Sequence, residues 1–131
     1  MRQAFGLKRF MTVLVGLAFI ATAGLSNPIA PEKLPEPVAM TFKTMFPNGT
    51  IVKLTEEPEN GVMVYDFEFK AGEREKETDI AADGTMLEST LVIVAGAVPA
   101  PAMKAIRKAA KGAKLARLEW IETRYETKDG K

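Results

Sequence analysis

The 131-residue chain contains no cysteine and no histidine. Without either residue there is no thiolate nucleophile, no imidazole base, no Ser-His-Asp or Cys-His arrangement, and no zinc site of His or Cys. It also excludes a disulfide framework and a lipid-attachment cysteine, so the folded chain is held by its core alone. Serine is scarce as well: beyond Ser26 the only one is Ser89, in a strand-like stretch with no lysine at a motif spacing. No glycine-rich phosphate loop follows a strand. Charge of one sign is not in excess either, since 18 Lys and Arg meet 17 Asp and Glu for a formal net charge of +1. That balance argues against nucleic acid as a partner, because a phosphate-tracking surface needs a clustered cationic excess. The local run Lys104, Arg107, Lys108, Lys111, Lys114 and Arg117 reads as a solvated helix face.

What the chain has begins with a leader. Arg2, Lys8 and Arg9 precede the apolar run from Phe10 to Ala21, which gives way to small residues and Asn27-Pro28. This is the layout of a secretory signal peptide over 1–23. The run is shorter than the roughly 20 residues a membrane span needs. Cleavage before Gly24 or before Asn27 is compatible with the small residues there. The expected localisation is therefore exported, to the periplasm or extracellular space, with no membrane attachment after cleavage. Losing Arg2, Lys8 and Arg9 takes the formal charge from +1 to −2.

The chain also matches itself without a gap at an offset of 64 residues. Leu34-Pro35-Glu36-Pro37-Val38 aligns with Val98-Pro99-Ala100-Pro101-Ala102, Phe42-Lys43 with Ile106-Arg107, and Ile51-Val52-Lys53-Leu54 with Leu115-Ala116-Arg117-Leu118. An offset kept over a proline pair, a helical stretch and an extended stretch implies one supersecondary unit used twice. After a proline-containing linker at 24–34, Val38, Phe42, Met45 and Phe46 recur at helical spacing, and Pro47-Asn48-Gly49 stops the helix, predicted over 36–46. Strands are predicted over 50–57, 62–70, 73–82 and 85–94, with turns at Asn60-Gly61, Ala71-Gly72 and Asp83-Gly84. The 62–70 strand alternates cleanly: Met63, Tyr65, Phe67 and Phe69 on one face, Asp66, Glu68 and Lys70 on the other. A thinner helix with Met103, Ile106, Ala109 and Ala110 ends at Lys111-Gly112, and a strand is predicted over 114–125. The expected fold is α+β: a helix packed on a four-stranded antiparallel sheet over 35–94, then a partial second helix-strand repeat over 95–131. By the offset, equivalents of residues 62–94 should follow, so either the second repeat is naturally a half unit or the sequence lacks a C-terminal portion, the latter being the expectation.

Three stretches carry a family resemblance: Pro35-x-Pro37-Val38 through Phe46-Pro47-Asn48-Gly49-Thr50-Ile51, then Tyr65-Asp66-Phe67-Glu68, then Asp79-Ile80-x-x-Asp83-Gly84-Thr85. Together they resemble the PepSY-like family, similar in fold to the repeats of beta-lactamase inhibitory protein. The resemblance covers 34–94 and, in part, 98–125. The second unit departs from it, with Ala110-Lys111-Gly112-Ala113 where the first has Phe46-Pro47-Asn48-Gly49. What the resemblance implies is an exported, non-catalytic binding or inhibitory module that brings no catalytic residue and no cofactor.

The remaining chemistry is that of carboxylates. Asp66 and Glu68 share one strand face, as do Glu75, Glu77 and Asp79. A glycosidase needs two carboxyls flanking a cleft, for which so short a chain has no room; the simpler reading is a wet sheet face with Lys70, Arg74 and Lys76 interleaved for cross-strand pairing. Asp79, Asp83, Gly84 and Glu88 have the look of a calcium loop without an EF-hand's ligand spacing. Trp120, the only tryptophan, either faces outward to anchor a partner or packs on the sheet. The expected function is protein binding through the open polar face of the sheet or an exposed strand edge, by strand addition at the unfinished edge beside Trp120, with Trp120, Asp66 and Glu68 as contact residues; the alternatives are an inhibitor or regulator of a secreted hydrolase and a weak calcium-binding envelope protein.

Overall fold

The computed structural model describes residues 26–130; the leader expected over 1–23 lies outside them. A single antiparallel sheet runs through six strands in sequence order: β1 (Asn27–Pro28), β2 (Gly49–Glu59), β3 (Val62–Ala71), β4 (Arg74–Ala81), β5 (Met86–Val92) and β6 (Glu119–Thr123). Helix α1 (Glu36–Met45) connects β1 to β2, and α2 (Ala100–Ala110) connects β5 to β6. No helix among the described residues is long and apolar enough to cross a membrane.

Local chemistry explains the boundaries. Both helices start behind a proline, Pro35 or Pro99, with a second proline in the first turn, where an N–H has no helical partner to lose. Helix α2 ends with Lys111 and Gly112 in left-handed backbone. The β2–β3 hairpin turns on Asn60 and Gly61, both at positive φ, as the favoured two-residue hairpin requires.

The core follows from the period-two pattern of β3. Tyr65, Phe67 and Phe69 pack with Leu54, Ile80 and Met86 beneath Val38 and Phe42 of α1. Phe42 stacks on Phe67 with ring centroids 4.4 Å apart and meets Phe69 edge-on at 5.1 Å, while Phe46 lies 4.6 Å from Phe69. Each such side chain stabilises the fold by about 1.5–3 kcal/mol through burial, with a further ~1 kcal/mol for a well-placed ring pair. The helix is also pinned to the β4–β5 turn, where the Thr41 hydroxyl donates to the Gly84 carbonyl at 2.7 Å. Gly84 has φ +88, and a Cβ there would lie 2.9 Å from the Pro37 carbonyl oxygen. Gly84→Ala is therefore expected to cost about 1–2 kcal/mol through backbone strain and displacement of α1. A melting temperature within error of the parent would refute that.

The expected architecture needs correction. The molecule is not a helix on a four-stranded sheet followed by a partial repeat; it is one six-stranded sheet, extended at both ends. Asn27-Pro28, inside the stretch read as linker, pairs with Glu56 and Thr55 of β2. Residues 119–123 do not begin a separate unit but pair with β5. The 64-residue correspondence lies inside this sheet, as two strand–helix–strand motifs. Pro28 opposite Thr55 corresponds to Val92 opposite Glu119, and Asn27 opposite Glu56 to Leu91 opposite Trp120. The Ile29 N–H donates to the Leu54 carbonyl at 3.1 Å, and Ile93 donates to Leu118 at 2.9 Å. Even the 3₁₀ turns, Pro31–Lys33 and Ala95–Ala97, correspond. The motif's first strand is β1 in one case and β5 in the other, which a reading that starts each unit at the helix cannot capture.

A second difference is that the strand expected over 114–125 is ordered as a strand only over Glu119–Thr123. In the first motif β2 is held on both sides, by β1 and β3; among the described residues β6 is paired with β5 alone.

Candidate functional site

The sheet has two unlike faces. On the face away from α1, the registers align Thr55, Asp66, Asp79, Glu88 and Thr123 in one row across β2 to β6. The adjacent row is Lys53, Glu68, Glu77, Thr90 and Ile121. Acid therefore stands directly opposite acid three times, Asp66 with Asp79, Glu68 with Glu77 and Asp79 with Glu88. The expected interleaving with Lys70, Arg74 and Lys76 does not neutralise these rows. Lys76 lies on the α1 face, its ammonium 5.7 Å from the centroid of the Phe46 ring. Neutralisation comes instead from the flanks: Lys53 donates to Glu68 at 2.7 Å, and Arg117 pairs with both Glu77 and Glu119.

Asp66 and Asp79 are half-buried and line a shallow pocket of about 120 Å³ with Glu77 and Glu88. Burial, then the neighbouring Glu77 and Glu68 charges, pushes the Asp66 carboxyl up to about 6. Burial, then Asp66 and Glu88, pushes Asp79 up to about 7. Both carboxyls therefore keep their protons closer to neutrality than an exposed aspartate does. Among the described residues no group of three or more carboxylates could hold a metal ion. Asp83, from the calcium-like stretch, accepts the Thr85 N–H at 2.8 Å within the β4–β5 turn.

Residues 124–130 leave β6 and cross the end of the sheet toward the β2–β3 turn. The N–H groups of Arg124 and Tyr125 both donate to the Leu87 carbonyl, and the Gly130 N–H donates to Asn60 at 2.7 Å. Thr127 is buried; its hydroxyl donates to Glu59 at 2.7 Å and accepts from the Asn60 amide. The segment runs away from the outer edge of β6.

That edge is the third feature. Leu118 and Arg124 bond to β5 through Ile93 and Leu87, so the alternation of an antiparallel ladder directs Trp120 and Glu122 backbone groups to β5 as well. The N–H and C=O groups of Glu119, Ile121 and Thr123 then point outward, where no strand among the described residues meets them. The opposite edge is β1, two residues long and half proline, a form that resists further pairing.

The structure does not bring the three expected contact residues together. Trp120 shares the α1 face with Leu91 and Lys76, 37% exposed, whereas Asp66 and Glu68 lie on the other face. Glu68 is occupied by Lys53. The unfinished edge of the second unit follows from the self-match; that its outward groups are those of Glu119, Ile121 and Thr123 follows only from the register. Those residues correspond to Thr55, Glu57 and Glu59, which pair with β3.

Beside this edge, α2 and residues 112–118 enclose an open groove of about 630 Å³. Ile93, Ala110, Leu115 and Leu118 give it an apolar lining, and Arg107 and Lys114 give it positive charge. Compared with known family models, with curated proteins and with solved structures, the chain matches none.

Proposed function

We propose that this chain is an exported, non-catalytic binding module of PepSY-like type that takes a protein partner by strand addition along β6. The observation that carries the reading is the outward row of backbone donors and acceptors on Glu119, Ile121 and Thr123, at the one sheet edge among the described residues that is longer than two residues. Main-chain hydrogen bonds supply affinity in this mode, and side chains flanking the edge supply specificity. Half-exposed Trp120, which an added strand would cover further, is the flanking anchor. The lack of His and Cys supports a binding role over a catalytic one.

Ile121→Pro tests it, because the lost N–H points away from β5 and proline is tolerated at such an edge position. A partner captured from envelope extract by the parent chain is expected to fall at least about tenfold with the variant at unchanged circular dichroism. Equal capture by both would sink the edge as the binding site. N-terminal sequencing of the exported protein is expected to begin at Gly24 or Asn27; an intact Met1 in that fraction would refute cleavage.

A further inference from the structure

We infer that the strand accepted by β6 runs antiparallel to it and carries large apolar side chains, aromatic at best, at alternate positions that enter the groove beside α2. This rests on the reading of β6 as a strand-accepting edge, and it names the chemistry of the occupant. The molecule holds its own template. In the first motif the edge equivalent to that of β6 is filled by β3, with Thr55 opposite Asp66 and Glu57 opposite Val64. On the helix side of that pairing, Ile51 faces Phe69, Leu54 faces Phe67 and Glu56 faces Tyr65. The corresponding residues of the second motif are Leu115, Leu118 and Trp120, all apolar.

By the 64-residue correspondence the groove residues Ala110, Leu115 and Leu118 match Phe46, Ile51 and Leu54, which meet Phe69 and Phe67 of β3 in the first motif. There the ring cluster is Phe42, Phe46, Phe67 and Phe69. In the second motif Ile106 stands for Phe42 and Ala110 for Phe46. No strand among the described residues supplies counterparts of Phe67 and Phe69. Ala110, Leu115 and Leu118 accordingly line the groove, and two aromatic side chains from an incoming strand would pack against them.

Charge sets the rest of the pattern. Lys53 in the first motif pairs with Glu68 of β3. Its counterpart Arg117 reaches instead across the sheet to Glu77 and to Glu119 on its own segment. Between Glu88 and Glu119 the chain has no acidic residue, while Lys104, Arg107, Lys108, Lys111, Lys114 and Arg117 fall within that span. An acidic side chain next to the apolar pair, in the order Tyr-Asp-Phe-Glu of β3, therefore suits this edge.

The probe is a capped synthetic peptide with the sequence of Val62–Ala71, added to the purified full chain. Binding is read from the emission of Trp120, the sole tryptophan, and from amide NMR shifts of Glu119, Ile121 and Thr123. Saturable binding is expected, weakened at least about tenfold by Ile121→Pro in the chain and by serine at the Phe67 and Phe69 positions of the peptide. Thr123→Pro, which removes another outward N–H, repeats the test should Ile121→Pro fail to fold. Equal binding of the serine peptide would overturn the role of the groove. Shifts confined to Thr55 and Glu57 would mean exchange with the chain's own β3 and would equally overturn it. If the peptide does not bind while Ile121→Pro still abolishes capture of the envelope partner, the aromatic pattern falls and strand addition stands. If neither responds, both fall.

Discussion

Phe67→Ala is expected to remove about 3–5 kcal/mol of stability, the range for deleting a buried aromatic side chain whose surroundings cannot collapse. Phe67 is 0% exposed, stacked on Phe42, at the centre of a sheet with strands on both sides. The cavity would open beneath α1, which Thr41 holds in place through Gly84, so the helix cannot follow the lost ring inward. Small domains have only about 5–15 kcal/mol in total, so urea denaturation should show a much lower midpoint or no folded baseline. Ile106→Ala provides the contrast. It sits in the smaller cluster with Val98 and Leu118, beside an open groove and with no ring partner, and a cost near the low end, about 2 kcal/mol, is expected. Equal losses at the two positions would contradict the view that the first motif holds most of the core.

The difference between the two motifs also marks what could be read from sequence. The β3 alternation, the helix over 36–45 and the Asn60-Gly61 and Asp83-Gly84 turns are local patterns, and each is where its residues imply. Asn27-Pro28 is not a local pattern. Its proline reads as linker, and only long-range pairing to Thr55 and Glu56 makes it a strand. The acidic rows were legible as faces but not as partners. That Asp66 meets Asp79, and not a lysine, depends on the β3–β4 register, where a shift of one residue changes every pair. The same holds for Trp120. Its face follows from counting through β3, β4 and β5, so its separation from Asp66 and Glu68 required the whole sheet. The outward groups of β6 are a property of pairing alone, and residue type says nothing of them.

The facing pair Asp66 and Asp79 gives the second large effect, in pH dependence. In the unfolded chain both titrate near the ordinary value of about 3.9. In the folded chain burial and neighbouring acids raise Asp66 to about 6 and Asp79 to about 7. The folded state thus binds protons more tightly, and the stabilisation this provides is complete below the unfolded value. It is lost as pH rises from the unfolded value through about 6 for Asp66 and about 7 for Asp79, so folding should weaken between about pH 4 and pH 7. Lys53 opposes the shift at Asp66, which is also open enough to water for part of it to be screened, so Asp79 carries more of the effect. Asp79→Asn keeps the shape and removes the charge that meets Asp66 and Glu88 across the two ladders. The variant is expected to be about 2 kcal/mol more stable than the parent at pH 8, a rise of roughly 8 °C in melting temperature, and indistinguishable from it at pH 4. Melting curves from pH 4 to 8 decide the matter. An unchanged slope in the variant, or a loss of stability at pH 8, would mean that the facing carboxylates do not repel as their placement requires.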